Sequence, residues 1–275
     1  EVTVECNPES ATPDLLDLLR ERGVNRISLG IQAFDAADLR RLGRVSTPAE
    51  CRRAIGEVAA RFPTWSADLI LGIPGSGRQR LESALEELVG AGVPHLSFYC
   101  LEAPPARARR VGDRMDEASE SLKADLYRFT AHWVEMHGFD HYEISNAARP
   151  GHWARHNRAY WQGETYVGLG PGAHSLEGGV RIANLPRLDA YLAALEGGDL
   201  PPQRREARTP ERIREEAILL GVRTSEGIPL DLTRGKEDFL RALTRRALAG
   251  IEGERLRLTP EGWLFADEIA VRLIG

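Results

Sequence analysis

"STPAECRRAIGEVAARF" (residues 46–62) and "SADLILGIPG" (residues 66–75) are a helix pattern followed by a strand pattern, and this repeat decides the fold class. Thr47, Pro48 and Glu50 form the capping-box sequence of a helix N-terminus, and apolar residues follow at helical spacing. The second stretch is a short apolar run that ends in a glycine-rich turn. Such a run is typical of a strand buried in a parallel sheet.

The same alternation extends from residue 1 to about residue 145. It predicts further strands and further helices, and the strand sequences are "EVTVEC" (1–6), "NRISLGIQ" (25–32), "HLSFYCLE" (95–102) and "HYEIS" (141–145). Strands that alternate with helices form βαβ units, so we expect the α/β class, with either a doubly wound sheet or a (β/α) barrel. No G-x-G-x-x-G follows a strand, and "GIPGSG" (72–77) lacks the lysine of a phosphate loop.

The pattern changes at about Thr209. Two helices, a short strand pair and a closing helix are predicted there, in the order of a winged-helix module. We therefore expect an α/β domain over residues 1–175, a connecting segment over 176–208 and a small winged-helix-like domain over 209–275. Winged-helix modules bind DNA or pack as structural caps, and the mixed Glu/Arg surface favours a cap.

Composition narrows the classes of partner. The 275 residues carry 36 basic and 41 acidic side chains and a net charge of −5, so we expect no nucleic-acid partner. The three cysteines are too scattered for a disulfide framework. No signal peptide and no membrane-spanning run is recognisable, so we expect a cytoplasmic protein. Peripheral membrane contact and the oligomeric state remain open.

Alternation within the strands brings three polar side chains to one interior. Glu5, Gln32 and Asp68 fall on the faces opposite their apolar neighbours, and Arg44 follows closely enough to be a partner. Polar groups are costly to bury unless something pairs with them. The pattern thus predicts either a self-satisfied Glu–Arg–Gln network or a site for a polar ligand, and spacing alone does not choose between them.

A glycine-rich stretch, "HNRAYWQGETYVGLGPGAHS" (156–175), stands apart from these repeats. Glycines weaken ordinary structure unless the backbone needs a positive φ or something approaches it closely. The stretch therefore predicts a bound ligand or a tight crossing of the chain.

Seven motifs occur in one order along the chain: "VECNP", "GVNRISLGIQAF", "RRLGR", "DLILGIPG", "YEISNAARPGH", "HNRAYW" and "GLGPGAHS". They resemble the HemW-type haem chaperones of the radical SAM superfamily, which are relatives of the oxygen-independent coproporphyrinogen III oxidases. The resemblance implies an incomplete (β/α) barrel and a haem-binding protein that passes haem to acceptor proteins. The alternative that it leaves is an oxidase-like enzyme of porphyrin biosynthesis.

The resemblance gives roles to the polar interior. Glu5, Gln32, Arg44 and Asp68 match positions where the family contacts S-adenosylmethionine. The chemistry agrees, because carboxylates and amides suit ribose hydroxyls and an ammonium group, and arginine suits a carboxylate.

The resemblance also gives "HNRAYW" a role in haem binding. His156 would be the iron ligand, and Tyr160 and Trp161 would stack on or wall the macrocycle. His152, four residues earlier, is the second candidate for the ligand. We interpret His174 as structural.

The sequence departs from the family in its cysteines. The CxxxCxxC motif that holds a 4Fe-4S cluster is absent, because Cys6, Cys51 and Cys100 do not share a loop. The family's "GGGTP" is also missing, and "LEAPPARARR" (101–110) replaces Glu-x-Gly-Thr. We expect the cluster segment to precede Glu1 in the natural protein. Without it we assign no catalytic residue and leave open whether the protein is an enzyme.

Overall fold

The computed structural model describes residues 1–102 and 118–275. The chain divides into two compact units, a first unit of Glu1–Ala154 and a second unit of Arg155–Gly275. Residues 103–110 of the predicted "LEAPPARARR" departure lie outside the described residues. Among the described residues, no helix is both long and apolar enough to cross a membrane.

The first unit alternates strands and helices as the sequence predicts. Its elements, in chain order, are β1 (Thr3–Cys6), α1 (Pro13–Glu21), β2 (Arg26–Gln32), α2 (Ala36–Arg41), α3 (Pro48–Arg61), β3 (Trp65–Leu71), α4 (Arg78–Gly90), β4 (His95–Cys100), α5 (Glu120–Met136), β5 (Asp140–Glu143) and β6 (Asn146–Ala148).

The strands of the first unit form one sheet in the order β1-β2-β3-β4-β6-β5. Strands β1 to β4 are parallel, and β6 runs antiparallel to both β4 and β5. The α/β class and the partial, open barrel are therefore confirmed. The predicted fifth strand reaches the sheet through a hairpin, because β6 lies between β4 and β5.

Local capping explains where the third helix begins. The Glu50 amide donates to Thr47 Oγ1 at 3.2 Å, and the Thr47 amide donates to Glu50 Oε2 at 2.7 Å. This reciprocal capping box satisfies two backbone donors at the start of α3, as the sequence predicts.

The two faces of the sheet differ in polarity. Apolar side chains on one face are fully buried in the core, and they include Ile27, Leu29, Ile31, Leu69, Leu71, Leu96 and Phe98. The opposite face carries the polar side chains that alternate with them along the strands. The strand pattern thus fixes which side chains are available to a ligand.

The second unit begins with the helix of the "HNRAYW" motif. Its elements are α6 (Arg155–Trp161), β7 (His174–Glu177), β8 (Val180–Asn184), α7 (Leu188–Glu196), β9 (Gln203–Ala207), α8 (Pro210–Gly221), β10 (Ile228–Pro229), the 3₁₀ turn η1 (Leu230–Thr233), α9 (Glu237–Arg245), β11 (Ala249–Glu252), β12 (Arg255–Leu258), α10 (Pro260–Trp263) and α11 (Ala266–Ile274).

Two small antiparallel sheets organise this unit, in the orders β7-β8-β9 and β10-β12-β11. From α8 onward the elements follow the winged-helix-like order predicted for residues 209–275, with β11 and β12 as the strand pair. Most of the β7-β8-β9 sheet lies within residues 176–208, which the sequence suggested were only a connection.

The first unit ends at Ala154, earlier than the predicted boundary at residue 175. The reason is long-range pairing that sequence patterns do not reveal. Tyr166 and Leu176 exchange two backbone hydrogen bonds of 3.1 and 2.9 Å, so the glycine-rich stretch packs with the sheet that follows it.

Candidate functional site

The polar face of the first unit's sheet forms a connected set of hydrogen bonds. Ser66 Oγ donates to Ser28 Oγ at 2.8 Å, and Ser28 Oγ lies 3.3 Å from Asp68 Oδ1. In the strand register Asp68 lies opposite Ser97, and Ser97 lies opposite Asn146. Polar residues thus cross this face from β2 to β6.

Asp68 and Glu5 interact on this face. Burial raises the pKa of the Asp68 carboxyl, hydrogen bonds from Ser97 and Ser28 lower it, and the negative charge of Glu5 raises it further. Glu5 itself is exposed near the end of β1. Two of the four predicted ligand-binding residues therefore lie within electrostatic reach of each other.

The other two predicted residues gather around Asn7 and Gly30. Arg44 Nη1 donates to Asn7 Oδ1 at 2.9 Å. A Cβ placed on Gly30 would lie 3.0 Å from Gln32 Nε2 and 3.5 Å from Asn7 Oδ1. A side chain at Gly30 would thus press against the Gln32 amide, at the carboxyl ends of β1 and β2, where parallel sheets bind ligands.

Gln32 has an unfavourable backbone conformation and a buried side-chain oxygen without a partner. Its φ of +67° lies in the left-handed region, which costs a residue with a Cβ about 1–2 kcal/mol. Its side chain is 8% exposed, and Oε1 has no hydrogen-bond partner. Among the described residues Arg44 forms no ion pair with Glu5 or Asp68. The described contacts therefore do not include the self-satisfied Glu–Arg–Gln network, and the Gln32 amide oxygen is left without a partner.

The cysteines do not gather into a cluster site. Cys6 and Cys51 are buried and Cys100 is exposed. Desolvation raises the pKa of all three thiols, to about 11 for Cys51, whereas iron binds thiolates. In the part of the chain that the structure describes, no three His, Cys, Asp or Glu side chains are grouped to hold a metal ion. These cysteines therefore do not fit a 4Fe-4S cluster, whereas the Gln32 amide oxygen without a partner and the carboxylates of the polar face are hydrogen-bond acceptors that suit a polar ligand such as S-adenosylmethionine.

The "HNRAYW" helix places a histidine against aromatic rings. His156 and Tyr160 lie one turn apart on α6, with ring centroids 4.7 Å apart in an edge-to-face arrangement. Tyr166 also packs edge-to-face against Tyr160, with ring centroids 4.6 Å apart. We call these three rings the aromatic row. Trp161, the last residue of α6, is half-buried.

The aromatic row lies at the surface of the second unit. Tyr160 is 40% exposed, and His156 is also exposed. Val167 and Leu169, which follow Tyr166 in the chain, are exposed apolar side chains. The exposed surface of this segment is therefore aromatic and aliphatic in character, as at many ligand or partner sites.

The glycines after this helix are explained by a crossing of the chain. A Cβ on Gly168 would lie 2.0 Å from the carbonyl oxygen of His174, so only glycine fits there. The Gly168 amide also donates to Ser175 Oγ at 2.9 Å. Of the two explanations that the sequence allows, the tight crossing accounts for Gly168.

His152 and His174, the other two histidines considered for this region, have different surroundings. Nδ1 of His152 lies 3.1 Å from Thr64 Oγ1, and the His152 carbonyl accepts a hydrogen bond of 3.4 Å from Arg26. His152 lies in the first unit, and both of these contacts are with residues of that unit. His174 begins β7, where its backbone closes the crossing with Gly168.

Sequence reasoning missed several residues of these sites. Asn7 stands two residues after Glu5, so strand alternation could have placed it on the same face. Glu143 and Asn146 of "YEISN" lie at the far end of the polar face, where the Asn146 amide donates to the Glu143 carboxylate. Tyr166 carries no motif, and only the contact with Tyr160 identifies it.

Comparison with known proteins identifies the fold. The family model of the radical SAM superfamily matches residues 1–98, which span β1 to β4. The structure of coproporphyrinogen III oxidase HemN from Escherichia coli, a radical SAM enzyme, superposes with a TM-score of 0.82. The superposition covers 99% of this chain and 69% of that chain at 20% identity, and so it shows the fold. The fold is that of the radical SAM superfamily.

Curated relatives define the family more narrowly. The Heme chaperone HemW of Mycobacterium tuberculosis is 35% identical over 280 residues, covering 100% of this chain and 72% of that protein. The Heme chaperone HemW of Bacillus subtilis is 30% identical, covering 100% of this chain and 76% of that protein. The chain belongs to the HemW family of the radical SAM superfamily, and the resemblance seen in its seven motifs is confirmed.

Proposed function

We propose that this protein is a haem chaperone that binds haem at the aromatic row and passes it to acceptor proteins. Family membership supports the class of function. The observation that carries the proposal is the exposed His156 ring beside Tyr160 and Tyr166 on the motif helix.

The side chains of the row suit a haem. A neutral imidazole nitrogen of His156 would ligate the iron, as histidine does in many haem proteins. Tyr160 and Tyr166 would contact the macrocycle through their rings, and Trp161 at the end of the same helix would add to that wall. Val167 and Leu169 offer further apolar surface next to Tyr166.

The exposure of the row suits transfer. A haem held at a surface can reach an acceptor without the opening of a buried pocket, and a single ligating side chain can be replaced by one from the acceptor. The acceptor must supply a stronger set of contacts, because transfer follows the difference in affinity between the two proteins.

We also propose that Glu5, Gln32, Arg44 and Asp68 hold S-adenosylmethionine. Arg44 would bind the methionine carboxylate, and the carboxylates of Glu5 and Asp68 would accept hydrogen bonds from ribose hydroxyls or the ammonium group. Gln32 would use its buried amide, whose oxygen has no partner within the protein. When bound beside a 4Fe-4S cluster, S-adenosylmethionine supplies a 5′-deoxyadenosyl radical, and the residues described here supply binding and orientation only.

The direct test is a haem titration followed by absorption spectroscopy on the parent and on His156→Ala. We expect a saturable Soret shift in the parent, and loss of that shift with at least ~10-fold weaker binding in the variant, because the iron ligand is removed. His174→Ala is the matched control, since His174 is also an exposed histidine of the second unit, and it should titrate like the parent.

Two results would count against this assignment. If His152→Ala abolishes the shift while His156→Ala does not, the ligand is the earlier histidine of the motif region. If every histidine variant titrates like the parent, "HNRAYW" is a structural motif, and an oxidase-like function becomes the better hypothesis.

A further inference from the structure

An apolar groove lies in the winged-helix-like part of the second unit, on residues that the haem motif does not include. It has a volume of about 650 Å³ and is formed by α9, the turn η1 and β11. Sites for small organic ligands typically measure about 300–1,000 Å³, so the groove is large enough for a molecule of that class.

The floor of the groove is apolar. Leu230, Leu240 and Ile251 line it, and Ile251 is 49% exposed although it is a large aliphatic residue. The hydroxyls of Thr233 and Thr244 also line the groove, and they already donate to the Leu230 carbonyl at 2.7 Å and to the Leu240 carbonyl at 3.1 Å. The floor can therefore contact an apolar ligand surface, and its hydroxyls already donate hydrogen bonds within the protein.

The rim of the groove is positively charged, in a chain whose net charge is −5. Three arginines, Arg234, Arg241 and Arg245, lie along it with one acidic residue, Glu237. The Glu237 carboxylate accepts from the Gly235 amide at 3.0 Å, and Arg241 pairs with Asp238 outside the groove.

Two of these arginines are available to a ligand. In the described part of the chain, Arg234 and Arg245 form neither an ion pair nor a side-chain hydrogen bond, and both are exposed. Arginine binds carboxylates through paired N–H donors, so the groove combines an apolar floor with two positions for carboxylates.

We propose that this groove is a second porphyrin site, in which the macrocycle lies on Leu240 and Ile251 and the two propionates meet Arg234 and Arg245. The inference rests on the proposed haem function. The lining holds no His, Cys or Met, so the site binds the porphyrin without ligating its metal. A site of this kind suits a haem that is entering or leaving the chaperone.

The absence of a metal ligand from the lining makes the test specific, because iron-free protoporphyrin IX should bind as well as haem. We would titrate it by fluorescence into the full chain carrying His156→Ala, so that binding through the aromatic row is weakened. In that background, Arg234→Ala/Arg245→Ala and the separate Ile251→Glu should each reduce affinity at least ~10-fold.

A matched variant controls for the lost charge. Arg204→Ala/Arg246→Ala removes two exposed arginines of the same unit that do not line the groove, and it should bind the porphyrin like its parent. If the groove variants and this control behave alike, or if the iron-free porphyrin does not bind, the proposal is overturned. Displacement of the porphyrin by equimolar dodecanoate would also overturn it, because the groove would then be an acyl-chain site.

The two proposals fail in distinguishable ways. If the groove variants keep full affinity while His156→Ala removes the Soret shift, the chaperone function stands and the second site does not exist. If the groove variants lose the iron-free porphyrin while His156→Ala keeps the Soret shift, the second site stands and the assignment of His156 fails.

Discussion

Single residues of the polar face are placed where stability alone would not put them. Gln32 has a left-handed φ and a buried amide oxygen without a partner. At the other end of the same face, Glu143 is 1% exposed and Asn146 Oδ1 also has no partner. Strained or unsatisfied residues of this kind concentrate at functional sites, so they support a ligand site on this face.

Glu143 makes the stability of the protein depend on pH. Burial raises the pKa of its carboxyl, although the Ser145 amide donates to Oε2 at 3.0 Å and Asn146 donates to Oε1. The folded state thus holds this proton more tightly than the unfolded state. Its contribution to stability is present at low pH and is lost as the pH rises from about 4.3, the usual value for glutamate, through the raised pKa.

We therefore expect Glu143→Gln to lose less stability than the parent between pH 4 and pH 8. The new amide can accept from Ser145 and donate to Asn146 Oδ1 once the Asn146 amide rotates, so the network survives. Urea unfolding at the two pH values measures the difference. The exposed Glu135→Gln removes the same charge and should follow the parent. Parallel profiles for all three proteins would show that Glu143 does not titrate between these limits.

At the scale of elements, the glycine-rich stretch connects α6 to β7 through one close crossing. Gly168 lies against the His174 backbone, and its own amide is hydrogen-bonded to Ser175. The crossing holds the segment that carries Tyr166, and Tyr166 in turn contacts Tyr160 on the helix. The position of the aromatic row therefore depends on a glycine outside the "HNRAYW" motif.

Gly168→Ala should destabilise the second unit by about 3 kcal/mol or more, because a Cβ 2.0 Å from a carbonyl oxygen forces the two segments apart. Gly250→Ala is the matched control, since nothing lies within 4 Å of its Cβ position and its φ is not positive. That variant should change stability by less than about 1 kcal/mol. Denaturant titration measures both, and equal effects would mean that the crossing has room for a side chain.

At the scale of the whole molecule, each unit has its own core. Leu29, Leu69 and Phe98 are buried in the first unit, and Ile218, Leu256 and Leu273 are buried in the second. Burial of apolar side chains is the dominant stabilising contribution to a folded unit. The chain divides into its two units between Ala154 and Arg155.

We expect the two units to fold as separate fragments. Residues 155–275 alone should unfold cooperatively and give the same Soret shift with haem as the full chain, because the aromatic row lies within that unit. Residues 1–154 should fold but give no such shift. Circular dichroism with thermal unfolding and a haem titration measure these properties. A fragment 155–275 that is unfolded, or that binds no haem although it is folded, would contradict the division of function between the units.

Local signals account for the parts of the fold that the sequence predicted. Three of these signals depend on residues close in the chain: the Thr47–Glu50 capping box, the apolar run of β3, and the alternation that places Asp68 and Leu69 on different faces of β3. Helix caps and strand faces follow from such neighbours, so the α/β class and the polar interior could be derived from the amino-acid order alone. The order of the seven motifs in addition allowed the family to be recognised from the sequence.

Strand order, the boundary between the units and the contacts of the aromatic row depend on pairing between residues distant in the sequence, and they are seen only in the folded structure. Hairpin strand β6 enters between β4 and β5, the first unit ends at Ala154, and Tyr166 joins His156 and Tyr160. The left-handed φ of Gln32, at the irregular pairing of β2 with β3, belongs to the same group. Local patterns and ordered motifs in the sequence are enough to predict the elements, their faces and the family. Only the folded chain decided which elements pair and which side chains meet, because those contacts form between residues whose separation in sequence carries no local signal.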